Sequence, residues 1–145
     1  RLFGGTVSPE RTAVLALYHD VSEVLTGDLP TPVKYFNPDI KTAYQDLEET
    51  AVHKLFSMLP DELKGDYQPF FNLDQADASH HELVKAADKL CAYIKCLEEI
   101  SAGNQEFSQA EQTLRNTVEG IDLPEVHYFM KTFIPSFRLT LDQLG

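Results

Sequence analysis

Apolar residues recur three and four apart along most of this chain, and strand-like alternation never lasts more than a few positions. Between Thr6 and Gly27, the positions Val14, Leu17, Tyr18, Val21, Val24 and Leu25 share one helical face. Ser8 stands before them as an N-cap candidate, with Pro9 at the first helical position. The spacing predicts one amphipathic helix that stops at Gly27. Asp28-Leu29-Pro30-Thr31-Pro32 cannot prolong it, because each proline lacks an amide proton and biases its predecessor towards extended geometry; a rigid loop is expected. Asn37 and Pro38 repeat the cap-then-proline signature. Ile40, Ala43, Tyr44, Leu47, Ala51, Leu55 and Leu59 then keep the helical period up to Pro60.

From Pro60 to Ala78 the pattern breaks around Gly65, Pro69 and the acidic stretch near Asp74 and Asp77, which predicts a short helix and a mobile loop with Phe70 and Phe71 turned into the core. Ser79 with Glu82 reads as a capping box. Leu83, Val84, Ala87, Leu90, Cys91, Ile94 and Leu97 carry a third strong helix to Gly103. A more polar helix is expected from Glu106 to Glu119, with Ala110, Leu114 and Val118 on one face. After Pro124, a short one bears Val126, Phe129, Met130 and Phe133, Pro135 ends it, and Leu139, Leu141 and Leu144 form a packing tail. The fold class is therefore all-α, in about six helices.

Composition narrows the function. The chain has 145 residues, 43% of them hydrophobic, with 12 basic against 23 acidic side chains and a net charge of −11. That suits one soluble domain over residues 1–145. Its negative field repels phosphate backbones, so no nucleic acid polymer is expected as a partner. No apolar run approaches the roughly 20 residues of a membrane span, and no basic segment followed by an apolar stretch opens the chain. A cytoplasmic protein without membrane attachment is expected. Cys91 and Cys96, five apart in a helical pattern, lie on different faces and are read as buried, reduced, structural thiols. The chain starts at Arg1 on the approach to a helix, so an upstream piece is expected to be missing.

Chemistry concentrates first in His19-Asp20-Val21-Ser22-Glu23. On one helix His19 and Glu23 share a face and Asp20 sits roughly 100° away, so the three can border one pocket. Imidazole and carboxylate suit a divalent first-row ion, and a Glu beside it can orient or deprotonate a water without ligating it. A solvated acidic helix end is the plainer alternative. Asp88 adds weight to the metal reading, since Val84, Ala87, Cys91 and Ala92 surround it at helical spacing and place its carboxylate along the apolar side of the third helix. A carboxylate buried there must coordinate a metal, pair with a lysine such as Lys34, or bind helix-end amides. Lys34 itself can steady a phosphate or simply sit solvated in its loop. Gly4-Gly5 lacks the lysine and hydroxyl of a phosphate-binding loop, and no Ser, Cys or His triad spacing occurs.

These residues resemble the HD-domain phosphohydrolases. Tyr18-His19-Asp20 through Glu23, the run Leu25 to Asn37, the block Lys85 to Tyr93 continuing to Glu99, and Pro135-Ser136-Phe137 look more specifically like the bacterial 5′-deoxynucleotidases of the YfbR type. The resemblance spans nearly the whole chain and implies a compact HD-domain helical bundle. It implies release of phosphate from deoxyribonucleoside 5′-monophosphates with a divalent transition metal ion such as Co or Mn. His19, Asp20 and Asp88 would be ligands, and Glu23 would assist the attacking water. Asp28, Leu29, Pro30 and Thr31 would line the nucleotide site beside Asp20 and Asp88, with Asp28 bonding the sugar.

The resemblance also assigns a further metal-binding His, and an Arg-Trp pair near the substrate, to a helix upstream of Arg1. None of the five histidines replaces that ligand: His80 and His81 are read as surface cap residues, His53 as an exposed partner of Glu49, and His127 as an edge residue. With no triad spacing to supply a nucleophilic side chain, water would attack phosphorus directly, the ion polarising a phosphoryl oxygen. Two other readings stay open: a non-catalytic helical HD-like binding or regulatory protein, and an HD phosphohydrolase acting on another nucleotide. Phe129, Phe133 and the leucine tail close the core or form a dimer seam, and the resemblance implies a homodimer.

Overall fold

The computed structural model describes residues 2–5, 7–28, 38–71, 77–139 and 141–143, and every regular element among them is an α-helix or a 3-10 turn. The all-α class is thus as expected. Contacts gather the chain into two compact units, one of residues 8–81 and one of residues 1–7 with 82–145.

In the unit of residues 8–81, α1 spans Pro9–Tyr18. Ser8 caps it from extended geometry, its hydroxyl accepting the Arg11 amide at 3.1 Å. The helix ends nine residues before Gly27, not at it. Amides of Val21, Glu23, Val24 and Leu25 bond the carbonyls of Tyr18, Asp20, Val21 and Ser22, each three residues back, so the chain tightens into a turn. His19 supplies the reason: its Nδ1 lies 2.6 Å from the Ala16 carbonyl, the acceptor a continued helix would offer to the Asp20 amide. A one-turn helix, α2 (Glu23–Thr26), follows and stops at Gly27, whose φ of +70° favours glycine.

Helix α3 (Pro38–Ser57) packs on α2. Tyr44 and Ala51 are buried and Leu55 and Leu59 half-buried, but Ile40, Ala43 and Leu47 are exposed, so the packed stripe is narrower than the expected one. The Tyr44 hydroxyl donates to the Gly27 carbonyl at 2.6 Å and so anchors the end of α2. Helix α4 (Asp61–Tyr67) runs into the 3-10 turn Gln68–Phe71, which both α1 and α3 touch. Phe71 is buried and Phe70 half-buried, as expected. Tyr18 stacks on Phe70 with centroids 5.3 Å apart, while Phe71 meets Phe56 edge-on at 5.5 Å. Such pairs add about 0.5–1.5 kcal/mol each beyond area burial. The expected mobile loop falls largely on residues 72–76, outside the described residues, as do Asn37 and the Leu29 to Pro32 loop.

Helix α5 spans Ala78–Ser101. It begins before Ser79, which therefore lies inside the first turn and does not cap it; Asp77 precedes the helix, and its carbonyl accepts the His81 amide at 2.9 Å. Gly103, at φ +95°, ends α5 in a paired closure: Gly103 N–H bonds Ile100 and Asn104 N–H bonds Glu99, both at 2.9 Å. Ala86, Leu90, Tyr93 and Leu97 form the core of the second unit with Val118, Val126 and Ile134. That face is turned relative to the expected one, so Ala87 and Cys91 are exposed. Cys96 is buried as expected; Cys91 corrects the reading of two buried thiols.

After the 3-10 turn Gln105–Phe107 come α6 (Ser108–Glu119) and α7 (Pro124–Thr132), which pack together. Val118 is fully enclosed and Leu114 half-buried, whereas Ala110 is exposed. Pro135 ends the α-helical run but the chain goes on as the 3-10 turn Ile134–Arg138. Leu139 is exposed, contrary to its place in a packing tail; the Leu141 side chain and Leu144 lie outside the described residues. None of the described helices is long and apolar enough to cross a membrane.

Candidate functional site

The turn between α1 and α2 holds three of the candidate residues. His19 Nε2 lies 2.8 Å from Asp20 Oδ2, with the two side chains 34% and 54% exposed. Because the Ala16 carbonyl can only accept, the Nδ1 beside it carries the proton. That contact orients the ring and directs Nε2 towards the carboxylate. Glu23 opens α2, half-buried, and its amide donates to the Asp20 carbonyl at 2.9 Å. The three residues therefore share one segment through a tight turn rather than through the face of a continuous helix. Beneath them, Tyr18 is pinned by Phe70, Phe71 and Tyr67, which fixes the residue that precedes His19.

The donor set fits a divalent ion in part. A ligating imidazole commonly donates its other nitrogen to a carbonyl or carboxylate, as His19 does. Two adjacent ligands about 2.1 Å from one ion lie roughly 3 Å apart, close to the 2.8 Å found here. No group of three or more His, Cys, Asp or Glu is assembled so as to hold a metal ion among the described residues.

Asp28 is exposed, directly after Gly27. Leu29, Pro30 and Thr31 lie outside the described residues, and so does Lys34. Asp88 belongs to α5, in the unit of residues 82–145. Its carboxylate is 42% exposed and 3.0 Å from Lys89 Nζ, which corrects the expectation of burial on an apolar helix side. The reason is helical phase: of the neighbours that were to enclose it, Ala87 and Cys91 face solvent.

A cluster that spacing did not reveal lies at the start of α5. Arg11 binds Asp77 through Nη2–Oδ2 at 2.6 Å and Nε–Oδ1 at 3.3 Å, and its guanidinium sits 4.6 Å over Phe70. His80 joins through Nδ1, 3.4 Å from Asp77 Oδ1, while its Nε2 accepts the Ser8 amide at 3.2 Å. The Arg11 hydrogen bond holds the Asp77 carboxyl below its ordinary value, against the opposing effect of burial. His80 and His81 are thus half-buried rather than surface residues, and His81 Nε2 is enclosed without a partner among the described residues. His53 and His127 are exposed as expected. No local signal links Arg11 to Asp77, which is 66 positions away.

An all-α protein with a His-Asp pair set in a turn and a Glu opening the next helix is the class these observations define. The chain belongs to the YfbR-like 5′-deoxynucleotidase family, whose model matches residues 1–137. It is 54% identical over 143 residues to a 5′-deoxynucleotidase of Vibrio cholerae, covering 99% of this chain and 74% of that protein. A 5′-deoxynucleotidase of Klebsiella pneumoniae is 51% identical over 145 residues, covering all of this chain and 73% of the relative. One from Erwinia tasmaniensis is 51% identical over 143 residues, with 99% and 72% covered.

Proposed function

We propose that this protein hydrolyses deoxyribonucleoside 5′-monophosphates to deoxynucleoside and phosphate, using a divalent transition metal ion of the cobalt or manganese kind. The observation that carries the reading is the family match along nearly the whole chain, to relatives named 5′-deoxynucleotidases. The oriented His19 beside Asp20 supports the metal part. His19 and Asp20 would hold the ion, and Asp88 is the further ligand that the family resemblance assigns. When bound, such an ion polarises a phosphoryl oxygen and lowers the pKa of water.

The chain's own residues do the rest. Glu23 accepts a proton from the water and aligns it for attack on phosphorus; the P–O bond to the sugar breaks as the new one forms, and the departing sugar oxygen takes up a proton from solvent to leave as the deoxynucleoside hydroxyl. Asp28 accepts a hydrogen bond from the sugar, and Leu29, Pro30 and Thr31 complete the nucleotide side of the site. A cytoplasmic homodimer without nucleic acid partners belongs to the same reading.

Phosphate release from dAMP and dTMP, against AMP and UMP with Mn²⁺ or Co²⁺ present, tests it. Release from the deoxy substrates that falls by about 10²-fold or more in Glu23→Gln is the expected result. Metal-loaded protein that releases phosphate from none of them overturns the reading.

A further inference from the structure

Helices α6 and α7 and the 3-10 turn Ile134–Arg138 enclose an open depression of about 500 Å³, wholly within the unit of residues 82–145. Its rim carries Arg115, Lys131 and Arg138, and its floor is Tyr93, Met130 and Ile134. Between positions 82 and 145 the sequence has six Lys and Arg against ten Asp and Glu, so half of the cations of an acidic stretch converge on one hollow. His127, one turn before Lys131 on α7, also faces it.

The cations keep capacity to bind. Arg115 commits Nε to Glu119, itself on the rim, at 2.9 Å. Arg138 donates through Nη2 to the Tyr93 hydroxyl at 3.1 Å and approaches Glu111 at 3.5 Å. A guanidinium has five N–H donors, so each arginine retains several, and both side chains are about half exposed. Lys131 has no ion-pair partner among the described residues and is exposed.

We propose that this hollow binds a small organic phosphate monoester, separately from the His19 segment. A phosphoryl dianion matches two or three converging cations better than a single carboxylate does. Its organic body, a sugar or planar base, then lies on the Met130 and Ile134 floor. The volume is within the range of small-molecule sites.

Calorimetric titration of the metal-free protein with AMP and, separately, inorganic phosphate tests the proposal, with Lys131→Glu, His127→Ala and Glu23→Gln compared with the unaltered chain. AMP is expected to bind with a Kd of about 1 mM or tighter, several-fold tighter than inorganic phosphate. Lys131→Glu should weaken it about tenfold, and raised salt should weaken it too. Glu23→Gln should leave it unchanged. Absence of AMP binding, equal affinity for AMP and inorganic phosphate, or an AMP affinity indifferent to both Lys131→Glu and His127→Ala overturns the proposal. So does loss of AMP binding in Glu23→Gln alone. Lys131 and His127 are both exposed, so circular dichroism of these variants should match the unaltered chain.

Discussion

Arg11 and Asp77 stand 66 positions apart in sequence and meet through two hydrogen bonds, the shorter 2.6 Å, joining α1 to the residue that precedes α5. The Asp77 side chain is only 11% exposed, so solvent screens this pair little. Removing one partner of such a pair costs about 1–3 kcal/mol, because the other is left enclosed without its bonds. The Asp77 carboxyl is lower in the folded chain than its ordinary value near 3.8, chiefly through the Arg11 hydrogen bond. Its contribution is therefore present above that value and lost as pH falls through it towards the lower folded one. Urea unfolding should show Asp77→Asn destabilised at about pH 7, with the gap to the unaltered chain shrinking as pH drops below about 4. A gap that stays constant with pH would contradict the charge-assisted origin.

Gly27 sets the direction in which the chain leaves α2. Its φ of +70° with ψ of 168° is a conformation nearly confined to glycine. An added Cβ meets nothing within 4 Å, so the penalty of Gly27→Ala is backbone strain rather than a clash. That strain is about 1–3 kcal/mol. Because the Gly27 carbonyl accepts the Tyr44 hydroxyl and Asp28 follows directly, relaxation displaces both. Thermal unfolding should report the loss of stability, and phosphate release should show KM rising more than kcat falls if Asp28 touches the sugar.

The two cysteines should separate cleanly by reactivity. Cys91 faces solvent, whereas Cys96 is buried and its thiol is pushed up, first by that burial and then by Glu111 and Glu99. The thiolate is the reacting form, so both access and charge state slow Cys96. Titration of native protein with a chromogenic disulfide at about pH 8 should release one equivalent quickly. The second should appear only on unfolding, and Cys91→Ser should remove the fast phase.

What the sequence disclosed follows the range of the interactions concerned. Ser8 with Pro9, Pro124 and Gly103 mark helix ends through local chemistry, and all four act where spacing placed them. The end of α1 escaped because a side chain, His19 Nδ1, takes a backbone acceptor, which periodicity does not register. Asp88 was misjudged for a subtler reason. A helix with apolar residues on two sides does not declare which side packs, and Ala86 with Tyr93, not Ala87 with Cys91, turned out to face the core. The His19 and Asp20 pair was legible because the donors are adjacent in sequence. The Arg11, Asp77 and His80 cluster was not, since only the tertiary fold brings it together.

The orientation of His19 leads to the last prediction. With Nδ1–H given to the Ala16 carbonyl, Nε2 is the ring atom left to face Asp20, 2.8 Å from its carboxylate. If these two donors hold an ion, His19→Ala removes a ligand outright; losing a residue that merely orients a ligand lowers metal affinity by about 10–100-fold, so this loss should lower it at least as much. Asp20→Asn should act similarly, since an amide oxygen carries no charge. Metal content after equilibrium dialysis against Mn²⁺ reads this directly, without relying on turnover. Both variants should retain helical circular dichroism, because both side chains are partly exposed and neither belongs to the buried core. Chelation should abolish phosphate release from the unaltered chain, and Mn²⁺ or Co²⁺ should restore it. Metal content in His19→Ala and Asp20→Asn equal to that of the unaltered chain would place the ion elsewhere.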